Sequence, residues 1–278
     1  MIRQVLVCIE GSPSGARAVE MGVEIARGHG ASLVGLAIVD EPDIRAGEAT
    51  GIGGSSYKKQ RDQSLLEDAQ RQVAEWLAGF SERCRAAGVP AQSLEERGRP
   101  AATILEEMRN YDLTLMGRHA NFTFETAASD RQTRDAVLHQ ARKPVIVVPE
   151  QPPVPSPRVL IAFDGSSASK RAVRSFAESG LGADSELHVA SADDDGVHAW
   201  EMASRGVDIL KEYGLPAEPQ SVVSVLPIAD ALLQVRERLG ARMMVLGAYT
   251  RSRLSELIWG SVTRALVEKT PVPLYLHH

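Results

Sequence analysis

Cysteine is scarce in this 278-residue chain, which has only Cys8 and Cys84. That excludes a disulfide framework as the basis of stability. Neither cysteine has a second cysteine or a Cys-His cluster nearby, so zinc spacing is also missing. Cys8 lies inside the apolar run VLVCI and reads as an inert core thiol. Long hydrophobic runs are absent. The longest apolar runs, such as VLVCI (5 to 9) and PVIVVP (144 to 149), are far below the roughly 18 residues that span a bilayer, and they read as buried strands. The opening MIRQVLVCIEGS has one arginine before a short apolar stretch that ends in a charged residue. It lacks the form of a secretory signal, and cytoplasm is the expected location.

A basic surplus is missing too. Net charge is −5, and lysine and arginine are interleaved with aspartate and glutamate, which argues against a polyanion surface and against nucleic acid as a partner. No lysine follows a glycine-rich turn in Walker A spacing, the G-x-S-x-G elbow is absent, and no Ser-His-Asp set can be assembled. An efficient NTPase is therefore not expected, and no catalytic residue is assigned.

The chain does contain the same pattern twice. VLVCIEGSPSGARAV (5 to 19) aligns without a gap on VLIAFDGSSASKRAV (159 to 173), LTLMG (113 to 117) on MMVLG (243 to 247), and KPVIVVP (143 to 149) on TPVPLYL (270 to 276). Two domains are expected, residues 1 to 149 and 158 to 278. They are joined by a proline-rich linker at 150 to 157, where neither helix nor central strand can continue. The first copy is longer by a Gly- and Ser-rich stretch, 41 to 62, expected to be a surface loop leading into a long polar helix. Strands are expected at 5 to 9, 32 to 39, 91 to 96, 113 to 116 and 145 to 148, and again at 159 to 163, 185 to 191, 218 to 224, 243 to 246 and 273 to 276. Helical periods separate them, including 64 to 88 and 229 to 241. This alternation predicts an α/β fold, an open parallel sheet with helices on both faces in each copy. Ligands then sit beyond the carboxyl ends of the strands.

Those ends carry the candidate residues. After the fourth strand of the second copy come Gly247, Thr250, Arg251, Arg253, then Gly260, Ser261 and Val262. Gly247 lets the backbone turn, Gly260 permits close approach, the helix start offers free N–H groups to an anion, and the arginines and the serine add charge and a hydroxyl. Gly-rich loops also follow strands with nothing bound. Asp164, Gly165 and Ser166 end the first strand of that copy. Asp164 faces the same crevice for a ribose hydroxyl or a phosphate-bound metal, and the same three residues are also good helix caps. Ala190 and Ser191, at the next strand end, offer backbone to a base or simply enter a turn.

DGS, then G-x2-T-x9-G-S-V, then the TPVP strand together resemble the universal stress protein family, whose ATP-binding members carry G-x2-G-x9-G-S/T. The match extends over both copies and is similar to the tandem type. The resemblance implies a Rossmann-like, adenine nucleotide alpha hydrolase-like fold of two five-stranded sheets, paired through their last strands as a pseudo-dimer. It also implies ATP, with or without magnesium, as ligand: Asp164 near ribose and phosphates, Ala190 beside adenine, and Gly247, Gly260, Ser261 and Val262 as the triphosphate cradle. Thr250 departs from the pattern by replacing a glycine, and Arg253 stands where many members have another. The function implied is a nucleotide-binding regulator of the stress response with slow or no hydrolysis and an unidentified protein partner, itself open to homodimer formation. A nucleotide-free scaffold is the alternative.

The first copy departs further. Glu10 replaces Asp164 ahead of Gly11 and Ser12, Gly117 is kept, and the Gly-Ser pair becomes Thr133-Arg134. This half is not expected to bind ATP in the family's way. Arg118, His119, Arg131 and Arg134 are expected in a solvated loop, with an anion site as the alternative. Asp193, Asp194 and Asp195 with His188 and His198 suggest a metal site, but the acidic run falls in the loop after the second strand of that copy and is expected to be a solvated turn. Trp76 and Trp200 are expected to pack in helices, and His277 and His278 to fray or to be a tag remnant.

Overall fold

The computed structural model describes residues 1–46, 55–120, 122, 131–247 and 261–278, side chains 55, 131 and 132 excepted. The first copy runs β1 (Gln4–Cys8), α1 (Pro13–His29), β2 (Ser32–Val39), α2 (Glu41–Ala46), α3 (Ser55–Ala86), β3 (Ala91–Arg97), α4 (Pro100–Glu107), β4 (Leu113–Gly117), α5 (Arg131–Gln140) and β5 (Val145–Val148). The second runs β6 (Arg158–Ala162), α6 (Ser167–Ser179), β7 (Glu186–Ala192), α7 (Gly196–Glu212), β8 (Ala217–Val222), α8 (Ile228–Leu239), β9 (Met243–Gly247), α9 (Ser261–Lys269) and β10 (Leu274–His277).

Tertiary contacts divide the chain into two compact units, Arg3–Gln140 and Ala141–His278, the second joined by Met1–Ile2. In the first unit the strands lie in the order β3, β2, β1, β4, all parallel. In the second the order is β10, β9, β6, β7, β8, again parallel. There β5 adds antiparallel to β10, with Val147 opposite Leu274 and Val145 opposite Leu276. The fifth strand of the first copy thus belongs to the unit built by the second copy.

The strands form where β-branched and aliphatic residues run together. From Leu33 to Val39 every residue of β2 is buried, as a parallel strand covered on both faces requires. Helix starts are set by serine caps: Ser12 Oγ accepts from Gly15 N at 3.0 Å ahead of α1, and Ser166 Oγ accepts from Ser169 N at 3.1 Å ahead of α6. In the second core, Phe176 meets Tyr275 edge to face at 5.5 Å, and the tyrosine hydroxyl lies 2.6 Å from Ser175 Oγ. Both cysteines are buried, and burial pushes the Cys8 thiol pKa far up, so it stays protonated.

Two elements differ from the expectation. The stretch after β2 contains α2 rather than loop alone. Asp40 Oδ1 accepts from Asp43 N at 3.0 Å as its cap, and Arg45 bonds Glu41 at 2.6 Å one turn back. Helix α3 begins at Ser55, well before the first apolar period at 64. Its polar early turns are held by pairs four apart, Lys58 with Asp62 at 3.5 Å and Gln63 with Glu67 at 2.8 Å. Among the described residues no helix is long and apolar enough to cross a membrane.

Candidate functional site

The site begins where β6 ends. Phe163 N donates to Ala190 O at 2.9 Å, and the Ser191 hydroxyl donates to Phe163 O. These bonds fix the ends of β6 and β7 side by side. The hydroxyl of Ser191 is thereby committed to the sheet and buried. Gly165 then takes φ +74, which calls for glycine, while a Cβ there would meet only the flexible end of Met202, with Sδ at 2.7 Å. Asp164 Oδ1 accepts from Ser166 N at 3.0 Å. The aspartate therefore shapes the turn while Ser166 caps the helix, and its carboxylate remains exposed.

A cleft of about 140 Å³ opens beside this turn, and four of the expected residues line it: Asp164, Ala190, Gly247 and Val262. Ala190 forms buried floor, whereas Ser261 is exposed at the first position of α9. Ile228 and Leu232, on α8, complete an apolar wall. The sequence reading missed these two, because it sought ligand contacts at strand ends and Leu232 follows the apolar period of a core helix. Thr250, Arg251, Arg253 and Gly260 lie outside the described residues.

Gly247 has a packing reason to be glycine. Its φ is not in the left-handed region, and a Cβ would lie 2.4 Å from Ser169 N. The missing side chain lets the end of β9 pack against the first turn of α6. Gly117 repeats the arrangement in the other unit, where a Cβ would lie 2.7 Å from Gly15 N. Both glycines are demanded by close packing.

In the unit Arg3–Gln140 the matching crevice between the ends of β1 and β4 is occupied by the chain's own side chains, and a separate hollow of about 240 Å³ lies on the α3 side, lined by Gly11, Ser12, Gly15 and Trp76. Glu10 is only 5% exposed and turns back on its loop, accepting from Ser12 N at 3.0 Å and from Ser12 Oγ at 2.8 Å. Ser14 Oγ accepts from His119 N at 3.2 Å. Arg134, at the position of Ser261, is 1% exposed; it donates to Arg118 O at 2.8 Å and through Nε and Nη2 to Asp135 Oδ1 at 3.0 and 2.8 Å. The expectation of a solvated loop fails for Arg118 and Arg134, which are both buried. Burial of a guanidinium is tolerated here because a carbonyl and a carboxylate take its hydrogens. His119 is half-buried, and the side chain of Arg131 is not among those described.

The other candidates also resolve. Asp195 caps α7 by accepting from Val197 N at 2.8 Å, and Asp193 lies 2.9 Å from His198 Nδ1. His188 is buried on β7 with Nδ1 3.5 Å from Glu218 Oε2. Among the described residues, no group of three or more histidine, cysteine or acidic side chains is placed to hold a metal. Trp76 packs against Gly11 as expected, but Trp200 is 51% exposed on α7 and is not a packing residue. His277 lies within β10, its Nε2 3.3 Å from Arg142 O, and the carbonyl of His278 accepts from Arg171 at 2.5 Å. These two are therefore bonded into the fold rather than frayed.

A sequence-family model described as the universal stress protein family matches residues 1–149 and again 156–278. The chain belongs to the universal stress protein family. It carries the family's unit twice, and a universal stress protein of Synechocystis is 21% identical over 286 residues, covering 98% of this chain and 99% of its own. A universal stress protein of Mycobacterium tuberculosis is 31% identical over 143 residues, 51% of this chain and 44% of that one. A crystal structure of a universal stress protein from Archaeoglobus fulgidus superposes with TM-score 0.70 at 18% identity, covering 99% of this chain and 97% of that one. That likeness shows a shared fold. Within this tandem universal stress protein, the open cleft described above lies at the strand ends of the second copy.

Proposed function

We propose that the second copy, residues 158 to 278, binds an adenine nucleotide, with ATP as the physiological ligand, and that the protein acts as a regulator whose nucleotide is held rather than efficiently turned over. One observation carries this reading: Asp164, Ala190, Gly247 and Val262, distant in sequence, line one cleft at the carboxyl ends of parallel strands. The fit is chemical. Ala190, Ile228 and Leu232 offer a flat apolar surface for a base, Asp164 offers an exposed acceptor for ribose hydroxyls, and α9 begins at the cleft with amide hydrogens for phosphate oxygens. Gly260, Thr250, Arg251 and Arg253 complete the phosphate cradle in this reading, on the strength of the sequence pattern alone. A bound magnesium ion would neutralise phosphate charge, with Asp164 as the acidic residue among those lining the cleft.

To act as a regulator, the nucleotide must bind two states of the protein unequally. A nucleotide-free scaffold is the second reading, favoured by the first copy, whose equivalent crevice is filled by buried Glu10 and Arg134. Titration calorimetry with Mg-ATP on the full chain separates the two. The proposal expects heat that vanishes in Asp164→Ala and in Gly260→Glu while both variants keep the parent melting temperature. No heat at millimolar nucleotide would leave the scaffold.

A further inference from the structure

Most of the large apolar side chains exposed among the described residues gather at one place. Val197 and Trp200 on α7, Val223, Val225 and Leu226 after β8, and Ile228 opening α8 are each 39% exposed or more, and Val225 is fully exposed. They adjoin one another. Ser221 Oγ donates to Gly196 O at 2.9 Å, and Val223 Cγ2 lies 3.2 Å from where a Cβ on Gly196 would stand, so the start of α7 rests on the end of β8. Val197 and Trp200 are three apart, on one side of that helix. Leu226 and Ile228 in turn share a hollow of about 220 Å³ with Asp193, Asp194 and Ser224. Large apolar side chains exposed together in this way mark an interaction surface more often than singly scattered ones do.

The fold does not demand this surface, as the first copy shows. Pro100 opens α4 and Pro227 immediately precedes α8. Aligned on these prolines, Val223, Ser224, Val225 and Leu226 stand where the first copy has Glu96, Arg97, Gly98 and Arg99. The same turn of the same fold is charged in one copy and apolar in the other. Strand addition is not the use of this face. β8 ends the strand order and carries Pro219, which has no N–H to donate. Recognition through side chains remains.

Charge selects the occupant. Asp193 accepts from Asp195 N at 3.0 Å and lies 2.9 Å from His198 Nδ1. These contacts, the backbone bond first, lower its pKa, so it stays ionised. Asp194 beside it and Glu201 on α7 are exposed, and among the described residues no lysine or arginine lines the hollow. A second copy docked symmetrically would bring carboxylate against carboxylate. We propose that this face binds a partner protein through a segment whose apolar side chains are flanked by lysine or arginine. The aliphatic stem of a basic residue would lie on Leu226 and Ile228, with its cation at Asp193 and Asp194.

The probe is a pair of labelled helical peptides with leucine at the same spacing and lysine or glutamate elsewhere, titrated onto the full chain by fluorescence anisotropy. The lysine peptide is expected to bind at least about tenfold tighter than the glutamate peptide. Binding should fall at least about tenfold when Val223→Glu, Val225→Gly and Leu226→Arg restore the first copy's residues. Asp193→Asn with Asp194→Asn should weaken it and flatten its salt dependence. If the triple variant does not fold, Val225→Lys at its fully exposed position serves instead, since it removes apolar surface and repels the basic segment. Equal binding of both peptides, or undiminished binding by the apolar-to-charged variants, overturns the proposal. So does a dimer in sedimentation that the triple variant dissolves, since the second copy would then be the occupant.

Discussion

Glu10 and Asp164 end the first strand of the two copies, each followed by Gly-Ser and a capped helix, yet one is buried and the other exposed. A single methylene separates them in covalent terms. The longer side chain of Glu10 folds onto Ser12, and the loop around it leaves no room: a Cβ on Gly15 would lie 2.3 Å from Glu10 Oε1, and one on Gly117 2.9 Å from it. The shorter side chain of Asp164 bonds Ser166 N and stops at the cleft mouth. Arg134 adds a buried guanidinium to the first crevice at the position where the second copy has the serine that opens α9. Two copies of one fold have thus put the same location to opposite uses, one packed with charge and hydrogen bonds, the other left accessible.

Breaking the packed side should have the largest effect. Arg134→Ala removes a buried cation together with its bonds to Arg118 O and Asp135, and about 3 kcal/mol of stability should be lost, read as an earlier denaturant midpoint. Asp164→Ala, on the accessible side, should leave that midpoint within about 0.5 kcal/mol while removing nucleotide binding. Next come the glycines that let strand meet helix. Gly117→Ala and Gly247→Ala should each cost about 2 kcal/mol, because the added methyl meets backbone that has little freedom to shift. Equal losses would confirm that Gly247 answers to packing; a much smaller loss at Gly247 would return it to a purely ligand-binding role. The caps sharpen the contrast at about 1 kcal/mol. Ser12→Ala should exceed Ser166→Ala, since Ser12 also donates to the buried Glu10.

The smallest effect concerns pH. Burial raises the pKa of Asp40, with the nearby Asp43 adding to it and the bond from Asp43 N opposing it. A carboxyl whose folded pKa is raised contributes its full stability below the unfolded value and loses it as pH climbs through the folded one. Asparagine still accepts from Asp43 N. Asp40→Asn should therefore raise the melting temperature slightly at pH 7, and the gain should fade below about pH 4. A gain that grows on acidification would contradict the burial argument.

Much of the architecture was legible in the sequence because apolar runs and helical periods mark it directly. The span 32 to 39 and the span 145 to 148 coincide with β2 and β5. Helix α2 was not legible, since it has six residues and a single buried apolar side chain, Ile44, too few to show a helical period. The sequence pattern led to Gly247, but only its distance from Ser169 shows why glycine is needed there. The arginines of the first copy were misread for a related reason. Charge near a polar loop signals solvent; Asp135 stands next to Arg134 in the sequence, but the other partner of the buried guanidinium is a main-chain carbonyl sixteen residues earlier, which no side-chain pattern advertises. Trp200 errs the other way, as an aromatic in a helical period that faces outward.

The number of nucleotides held per chain tests the contrast between copies most directly. Native mass spectrometry of the full chain with ATP should show one nucleotide bound, retained in Glu10→Gln and lost in Asp164→Ala. Two nucleotides per chain, or one that survives Asp164→Ala and disappears in Glu10→Gln, would contradict the assignment of the open cleft to the second copy.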